Sequence, residues 1–315
     1  MTADFSAVGL RVGHATDAAG ATGVTVIRGD GAFRAAAALL GRATGTRELD
    51  ALSPHHLVDR VDAIVLTGGS AYGLGCADGV MRWMEERGRG FDVRVGVVPI
   101  VPAAVIFDLG PLGSPKARPT PEMAYDACDR AAPTFEEGSV GAGTGATVGK
   151  GAGIERAMKG GIGAHVERDG DLAVAALAVL NALGDVRDAS GAIIAGGRAE
   201  GGGFVDVARA ISHGMAAGPR APVGNTTLAL VATNAALPRL ALAQVARVAE
   251  AALARRITPV GTTFDGDVIF AAAPLEGPAV AALQVEALAV RALEMAVERA
   301  VRTAKGRDGV PGLAD

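Results

Sequence analysis

The sequence predicts a layered α/β protein, of the α+β kind, in which helices cover β-sheets. Half of the 315 residues are apolar but only 3% are aromatic, so many small side chains must fill the core. Glycine accounts for 45 residues and clusters between apolar runs, which is typical of tight turns and close backbone contacts. Hairpin signals also stand beside long apolar helices, and this combination favours sheets that are covered by helices.

The first half of the chain alternates between predicted strands and helices. The runs LRVGHA and GVTVIRG predict strands, and VDAIVLTGG predicts a buried strand that leads into a helix over SAYGLGCADGVMRWMEERG. A second helix is predicted at TPEMAYDACDRAA, where Thr120 supplies an N-cap and Pro121 the first helical residue.

The second half predicts a hairpin and then two strand–helix pairs. The run KGGIGAHVERDGDLAVAALAVLNALGDV predicts two antiparallel strands joined by a turn at 168–171. The last 90 residues, 226–315, predict the order β-α-β-α. No linker-like stretch marks a boundary, so residues 1–315 are predicted to form a single domain.

Composition argues against several classes of partner. The net charge is −4 and the basic residues are scattered, so nucleic acid is not an expected partner. The start MTADFSAVGL lacks the features of a signal peptide, and the uncharged run VGVVPIVPAAVIF contains two prolines and is too short to span a bilayer. We therefore expect a soluble, cytoplasmic protein without a membrane partner.

The cysteines and histidines predict neither a metal site nor a disulfide. Cys76 and Cys128 belong to no CxxC pair and are expected to be small core residues. His55 and His56 lie in a predicted loop and His213 stands alone, so these histidines form no recognisable metal-binding motif. No metal and no cofactor is therefore expected.

Two glycine-rich motifs invite other functions but fit them poorly. GAGTGATVGK ends in Gly-Lys like a phosphate-binding P-loop, yet Thr144 stands where that motif needs glycine and Gly151 where it needs serine or threonine. GGSAYGLG follows a strand, but Ser70 lacks the second glycine of a G-x-S-x-G nucleophile elbow. Neither motif supports nucleotide binding or a serine nucleophile.

The most informative stretch is VGNTTLALVATNA, residues 223–235, where a buried strand begins with Asn-Thr-Thr. By itself the tripeptide is typical of a turn that enters a strand. However, four separated motifs together resemble the P1 peptidase family: this stretch, TTFDGDVIFAAAP downstream, GGSAYGLGCADGVMRW upstream, and VGAGTGATVGKGAG with KGGIG between them. The resemblance runs from about residue 8 to at least residue 273.

That family includes L-aminopeptidase/D-amidase/esterases, β-aminopeptidases and nylon-oligomer hydrolases. Its members cut themselves before a serine or threonine, which becomes an amino-terminal nucleophile, and they form four-layer αββα sandwiches that assemble into oligomers. The resemblance implies cleavage between Asn225 and Thr226 into fragments 1–225 and 226–315. It also implies a homo-oligomer of processed heterodimers that hydrolyses small peptides or amino-acid amides.

The chemistry of a threonine nucleophile explains why this junction matters. A hydroxyl is a weak nucleophile, and a free α-amine with a pKa of about 7.7–8.0 is a base tethered to the same residue. Cleavage before Thr226 would create nucleophile and base together. Gly224 permits the bent backbone that this requires. Thr227 is the rival, but the two-residue period of a strand turns its side chain to the opposite face.

The resemblance implies roles for two aspartates, an asparagine and a tyrosine. Asp265 and Asp267 would orient the ammonium and hydroxyl groups of Thr226, and the two-residue period places both carboxylates on one side of an extended segment. An ordinary Asp-Gly turn is the alternative for this pair. Asn181 would stabilise the oxyanion, unless its role is purely structural. Tyr72 matches an active-site tyrosine of the family.

Two lysines compete for one role. Lys150 matches the active-site lysine of the nylon-hydrolase branch, whereas Lys159 matches that of the aminopeptidase branch. We prefer Lys150 and leave Lys159 as the alternative. A cation beside the new amino terminus would lower the pKa of the amine and keep more of it as free base.

Two other functions remain possible from the sequence. Ornithine acetyltransferases share this type of fold and threonine self-cleavage, so the chain could pass an acyl group to an amine instead of to water. It could also remain uncut and serve as a binding or scaffold protein. The loops 108–120 and 195–220 show no pattern that identifies a substrate.

Overall fold

The computed structural model describes residues 1–110, 112–214 and 224–315. The strands, numbered along the chain, are β1 (Thr2–Asp4), β2 (Leu10–Asp17), β3 (Thr22–Leu39), β4 (Thr46–Arg47), β5 (Val61–Thr67), β6 (Phe91–Asp92), β7 (Val97–Val98), β8 (Ala103–Val105), β9 (Thr134–Glu136), β10 (Thr147–Val148), β11 (Met158–Lys159), β12 (Ile162–Asp169), β13 (Leu172–Asn181), β14 (Asp185–Arg187), β15 (Ile193–Ala195), β16 (Thr226–Thr233), β17 (Ile257–Thr258) and β18 (Val268–Pro274). The α-helices are α1 (Cys76–Glu85), α2 (Pro121–Asp129), α3 (Val207–Ser212), α4 (Arg239–Arg256) and α5 (Ala282–Arg302).

One continuous sheet runs through both halves of the molecule, one half with β12, β13, β16 and β18 and the other with β5, β8 and β4. Its order is β12-β13-β16-β18-β3-β5-β8-β4, and β2 also pairs with β3. Strand β3 spans both halves: its first part pairs with β2 and β5, and its last part, from Phe33 to Leu39, pairs with β18. A register shift between Arg28 and Phe33 separates the two parts.

The central strands are buried on both faces because each face contacts a different layer. On β16, Leu228 and Leu230 point into the cluster between the two halves of the sheet, whereas Ala229 and Val231 pack towards α4 and α5. A third cluster lies between α1, α2 and the half that contains β5. The layers are therefore helix, sheet, sheet and helix, which confirms the predicted αββα sandwich.

Most of the predicted elements are present. Strands β12 and β13 form the expected hairpin, with Asp169 opposite Leu172. The Thr120 hydroxyl accepts a hydrogen bond from Met123 N at 3.3 Å and caps α2 as predicted. The last 90 residues follow the order β-α-β-α, with the short β17 added after α4.

Two regions differ from the prediction. The SAYGLG segment forms a 3-10 helix, Ser70–Gly75, so α1 begins only at Cys76. Its start is irregular because both Gly69 and Ser70 have positive φ angles. The small sheet β15-β14-β17 and helix α3 were also not predicted, since each element is too short to show a periodic pattern.

A buried ion pair joins α5 to the rest of the sandwich. Glu137 has a fully buried side chain that accepts hydrogen bonds from Ala164 N at 2.9 Å and Arg299 Nε at 2.8 Å. We expect Glu137→Ala to lower the free energy of unfolding by about 3–5 kcal/mol, because it leaves a partly buried charge and a buried amide without their acceptor.

Urea unfolding measures this difference, in a Thr226→Ala background that is expected to keep the chain in one piece. The control is Asp126→Ala, which removes the exposed pair of Asp126 and Arg130 on α2 and should cost less than about 1 kcal/mol. Equal losses in the two variants would contradict the importance of Glu137.

Candidate active site

Strands β13, β16 and β18 bring the predicted polar residues to one edge of the sheet. Asn181, the last residue of β13, lies opposite Thr226, the first residue of β16. Strand β18 runs parallel to β16, which places Asp267 beside the start of β16. Asn225 and Asp265 form an isolated parallel bridge just outside these strands. All five residues are buried, with no more than 4% of any of them exposed.

The peptide bond between Asn225 and Thr226 has reactive groups on both sides. The Thr226 hydroxyl donates a hydrogen bond to the carbonyl oxygen of Asn225 at 2.6 Å. Gly266 N donates to the same oxygen at 2.9 Å. A nucleophile therefore lies next to a carbonyl group that an amide already polarises.

Glycine is required at position 224, one residue before Asn225. Gly224 has a φ of +92°, and a Cβ there would lie 2.1 Å from the Phe107 ring. The left-handed backbone and the close approach of Phe107 both exclude a larger residue. The geometry thus supports the expectation that Gly224 bends the chain at this point.

Lys150 and Asn181 hold the carbonyl group of Gly224. Lys150 Nζ donates to Asn181 Oδ1 at 2.7 Å, to Asn181 O at 2.9 Å and to Gly224 O at 3.3 Å. Asn181 Nδ2 donates to Gly224 O at 3.2 Å and to Phe107 O at 3.1 Å. Three acceptors around Nζ match the three N–H donors of a lysine ammonium.

The two aspartates bind backbone amides around the start of β16. Asp267 accepts hydrogen bonds from Thr227 N through Oδ1, at 2.5 Å, and from Gly261 N through Oδ2, at 3.1 Å. Asp265 Oδ2 accepts from Thr262 N at 2.8 Å. The Asp267 carboxylate therefore fixes the loop before β18 against β16, and the Asp265 carboxylate binds an amide within that loop.

Burial shifts the protonation equilibria of the site. It raises the pKa of Asp267 to about 7, with the negative charge of Asp265 adding to the effect and the hydrogen bonds from Thr227 and Gly261 opposing it. Burial also lowers the pKa of Lys150 to about 7, although the nearby charge of Asp265 opposes this shift. Both groups can therefore gain or lose a proton near neutral pH.

Lys159 is directed to a different group of acceptors. Its Nζ donates to the carbonyl oxygens of Ala146 at 2.6 Å, Thr144 at 3.0 Å and Gly143 at 3.4 Å. Burial lowers its pKa to about 7, and the positive charge of Arg307 adds to the effect. Lys150, not Lys159, contacts the residue that precedes Asn225.

Tyr72 lies outside the buried cluster. It belongs to the 3-10 helix, its side chain is 70% exposed, and the Arg118 guanidinium stands 4.6 Å from its ring centroid. The 3-10 helix is nevertheless close to the site, because Ser70 N donates to Ile106 O, one residue before Phe107. Tyr72 is thus exposed on the neighbouring 3-10 helix, outside the buried cluster.

Sequence reasoning missed the backbone groups of the site. Phe107 O and Gly266 N take part through the main chain, and Thr147 N donates to Asn181 Oδ1 at 3.1 Å. A residue's side-chain type carries no signal for such contacts. Only the DGD motif and the Gly-rich stretch around Thr147 marked their positions.

Residues 1–110, 112–214 and 224–315 contain neither a metal-binding cluster nor a membrane-spanning helix. In these ranges His, Cys, Asp and Glu form no group of three or more that could bind a metal ion. No helix in the described parts has the length and apolar character needed to cross a membrane.

The model of peptidase family S58 matches residues 6–312, so the chain belongs to this family, and the resemblance predicted from the sequence is confirmed. Family and fold together define a peptidase or amidohydrolase with the sandwich of the amino-terminal-nucleophile hydrolases. An uncharacterized aminopeptidase of Mycobacterium tuberculosis is 39% identical over 336 residues, covering 98% of this chain and 95% of that protein.

A 6-aminohexanoate-oligomer endohydrolase of Kocuria sp. is 32% identical and covers 86% of this chain and 74% of its own length. Among solved structures, the L-aminopeptidase D-Ala-esterase/amidase of Ochrobactrum anthropi has a TM-score of 0.72 at 19% identity. The match covers 100% of this chain and 92% of that one, and it shows the shared fold.

Proposed function

We propose that the chain is a self-processing hydrolase. It cuts the bond between Asn225 and Thr226 and then uses Thr226 as an amino-terminal nucleophile. Its substrates are amide bonds at the amino end of small peptides, amino-acid amides or β-amino-acid amides. The observation that carries the proposal is the Thr226 hydroxyl, 2.6 Å from the Asn225 carbonyl oxygen inside a buried site.

Self-cleavage follows from this arrangement in two steps. Thr226 Oγ1 attacks the carbonyl carbon of Asn225, and Gly266 N–H stabilises the negative charge on the carbonyl oxygen. The proton of the attacking hydroxyl is transferred to the Thr226 nitrogen, the C–N bond breaks to give a free amine, and an ester joins the two residues. Water then hydrolyses the ester to give a carboxyl group on Asn225 and a free amine and hydroxyl on Thr226.

The cut changes what Lys150 and Asn181 can bind. Before it, both side chains donate to Gly224 O. Displacement of the new carboxyl end would release these donors to a substrate carbonyl at the same place. They would then stabilise the oxyanion while the α-amine of Thr226 accepts the proton of its own hydroxyl.

Denaturing mass spectrometry tests the proposal directly. Purified protein should contain fragments 1–225 and 226–315, and only the full-length mass after prolonged incubation at neutral pH would count against self-processing. Hydrolysis is tested with a panel of amino-acid p-nitroanilides and β-amino-acid amides, with hydroxylamine added to reveal acyl transfer.

The two fragments should remain together after the cut. Strand β16 of the smaller fragment pairs along its whole length with β13 of the larger one, and separation would expose both faces of buried strands. Co-elution in native gel filtration, at a mass above the 31.4 kDa of one chain, is expected because the family resemblance also implies a homo-oligomer. Separate folded peaks would contradict this expectation.

Self-cleavage should depend on pH through Asp267. Below a pH of about 7 this carboxyl becomes protonated, and one oxygen then presents a proton to an amide N–H instead of accepting from it. The rate should therefore fall on the acid side, while deprotonation of Lys150, with a pKa also of about 7, should lower it on the alkaline side.

The variant Asp267→Asn separates these two effects. An amide cannot ionise, so the variant should cleave slowly and lose the acid limb of the profile between about pH 5 and 9. The matched control is Asp188→Asn, since Asp188 also accepts backbone hydrogen bonds but is exposed in a turn. An unchanged acid limb in Asp267→Asn would disprove the assignment.

A further inference from the structure

A second buried carboxylate lies close to the candidate active site but outside its hydrogen-bonded cluster. Asp185 begins β14, four residues after Asn181, and is fully buried. Its Oδ1 accepts a hydrogen bond from Gly197 N at 2.8 Å, and its Oδ2 accepts from Val207 N at 2.6 Å. Both oxygens therefore bind amides of one distant segment, 196–207.

This segment lies directly on the residues that flank Lys150. A Cβ on Gly149 would lie 2.1 Å from the backbone of Gly196 and Gly197, and a Cβ on Gly151 would lie 2.4 Å from Val207 Cγ1. Contacts this close leave no room for the Lys150 loop to move towards the segment.

The chain next to Asp185 holds the other side of the same loop. Gly149 N donates to Gly184 O at 2.9 Å, and Gly151 N donates to Leu183 O at 3.0 Å. The stretch 183–185 thus binds the Lys150 loop through its carbonyl groups and segment 196–207 through the Asp185 side chain. The loop is enclosed between the two.

We propose that Asp185 is a positioning residue for self-cleavage and for the hydrolysis that follows. Its carboxylate fixes segment 196–207 over the Lys150 loop and thereby sets the position of Lys150 Nζ at Gly224 O. Asp185 also fixes the first residue of α3, which ends only twelve residues before Gly224. This inference rests on the proposed self-processing.

The chemistry of the contact requires a carboxylate. Each oxygen faces an N–H donor, so an asparagine would turn its own NH2 group towards one of the two amides and lose that hydrogen bond. Gly196 offers an independent way to disturb the same contact, because a Cβ there would lie 2.0 Å from Asp185 Oδ1. Asp185→Asn and Gly196→Ala should therefore have the same effect.

Hydrogen exchange tests the contact without any need for activity. In a Thr226→Ala background, Asp185→Asn and Gly196→Ala should each accelerate exchange in peptides that cover 196–207 at least about tenfold. Peptides from β13 and β16 should keep the exchange of the parent. Unchanged exchange in 196–207 for both variants would overturn the proposal.

With Thr226 present, both variants should slow self-cleavage at least tenfold. Asp188→Asn, in the neighbouring turn, should cleave like the parent, and Glu137→Ala controls for a general loss of stability. The cleaved fraction of each Asp185 or Gly196 variant is then assayed on a p-nitroanilide that the parent hydrolyses. Its kcat should fall while its KM changes less than twofold, because Lys150 acts on the reacting carbonyl of the substrate.

Cleavage of both variants at the parental rate, or an equal slowing in Glu137→Ala at matched stability, would overturn the role of Asp185. A parent chain that never cleaves would instead overturn the proposed function, and its intact mass alone reveals this case. The two failures are therefore distinguishable.

Discussion

Replacing Thr226 by alanine is expected to leave the chain in one piece and without hydrolytic activity. Alanine has no oxygen to attack either the Asn225 carbonyl or a substrate carbonyl. The exchange removes one hydroxyl that donates to a neighbouring carbonyl, and the pairing of Thr226 with Asn181 in the sheet involves only the backbone. The loss should therefore be complete for processing while the fold is retained, as measured by denaturing mass spectrometry and circular dichroism.

Two matched variants make this result specific. Thr226→Ser keeps the hydroxyl but loses the methyl group that restrains χ1, so it should cleave and hydrolyse more slowly than the parent. Thr227→Val is the control on the opposite face of β16, because the Thr227 hydroxyl is buried without a hydrogen-bond partner among the described residues. Its removal should be neutral or slightly stabilising, and cleavage should continue.

The outcome that would refute the mechanism is a Thr226→Ala chain that still splits after Asn225. Hydrolysis of substrate by Thr226→Ala at the parental rate would refute the nucleophile assignment. Loss of cleavage in Thr227→Val as well would point to a general disturbance of β16 and would leave the choice between the two threonines without support.

The layers of the fold could be predicted because they depend on local patterns. Alternation along β16 places Leu228 and Ala229 on opposite faces, and the turn at 168–171 defines its hairpin within a few residues. The continuous sheet could not be predicted in the same way. It depends on β3, whose register shifts between Arg28 and Phe33. The two parts of this strand pair with strands that are distant in sequence.

The residues of the site also differ in whether the sequence could identify them. Asn181, Thr226 and Asp267 were identified through the family resemblance, and the structure brings them together because each stands at or next to an end of β13, β16 or β18. Asp185 stands in a short strand without such a pattern, so its two amide partners are visible only in the structure. Tyr72 was identified through the family motif, yet its contact with Arg118 depends on loop geometry.

The two lysines show why residue type alone does not define a role. Both Lys150 and Lys159 follow glycine-rich stretches, both are buried, and burial lowers the pKa of each to about 7. They differ in their acceptors. Lys150 Nζ donates to Asn181 and Gly224, whereas Lys159 Nζ donates to carbonyl groups of the 143–146 loop.

Replacing each lysine by methionine should therefore produce different defects. Lys150→Met keeps the apolar stem but removes the donor to Gly224 O and Asn181 Oδ1. We expect self-cleavage to slow by about 100-fold, because the Gly224 carbonyl beside the scissile peptide loses the ammonium that fixes it. Hydrolysis of substrate should slow by about 100- to 1000-fold, which is the usual cost of losing a charge-stabilising donor at a reacting carbonyl. Unfolding in urea should change less, since Asn181 keeps its hydrogen bonds to Phe107 and Thr147.

Lys159→Met should instead act on stability. It leaves the buried carbonyl groups of Thr144 and Ala146 without the ammonium, at a cost of about 1–3 kcal/mol, while the Lys150 contacts remain. Its cleavage rate should stay within about tenfold of the parent at temperatures where it is folded, because its donors are directed away from the reacting bond. Both variants are compared by the half-life of the full-length mass and by urea unfolding. If Lys159→Met blocked cleavage while Lys150→Met cleaved normally, the active-site role would pass to Lys159.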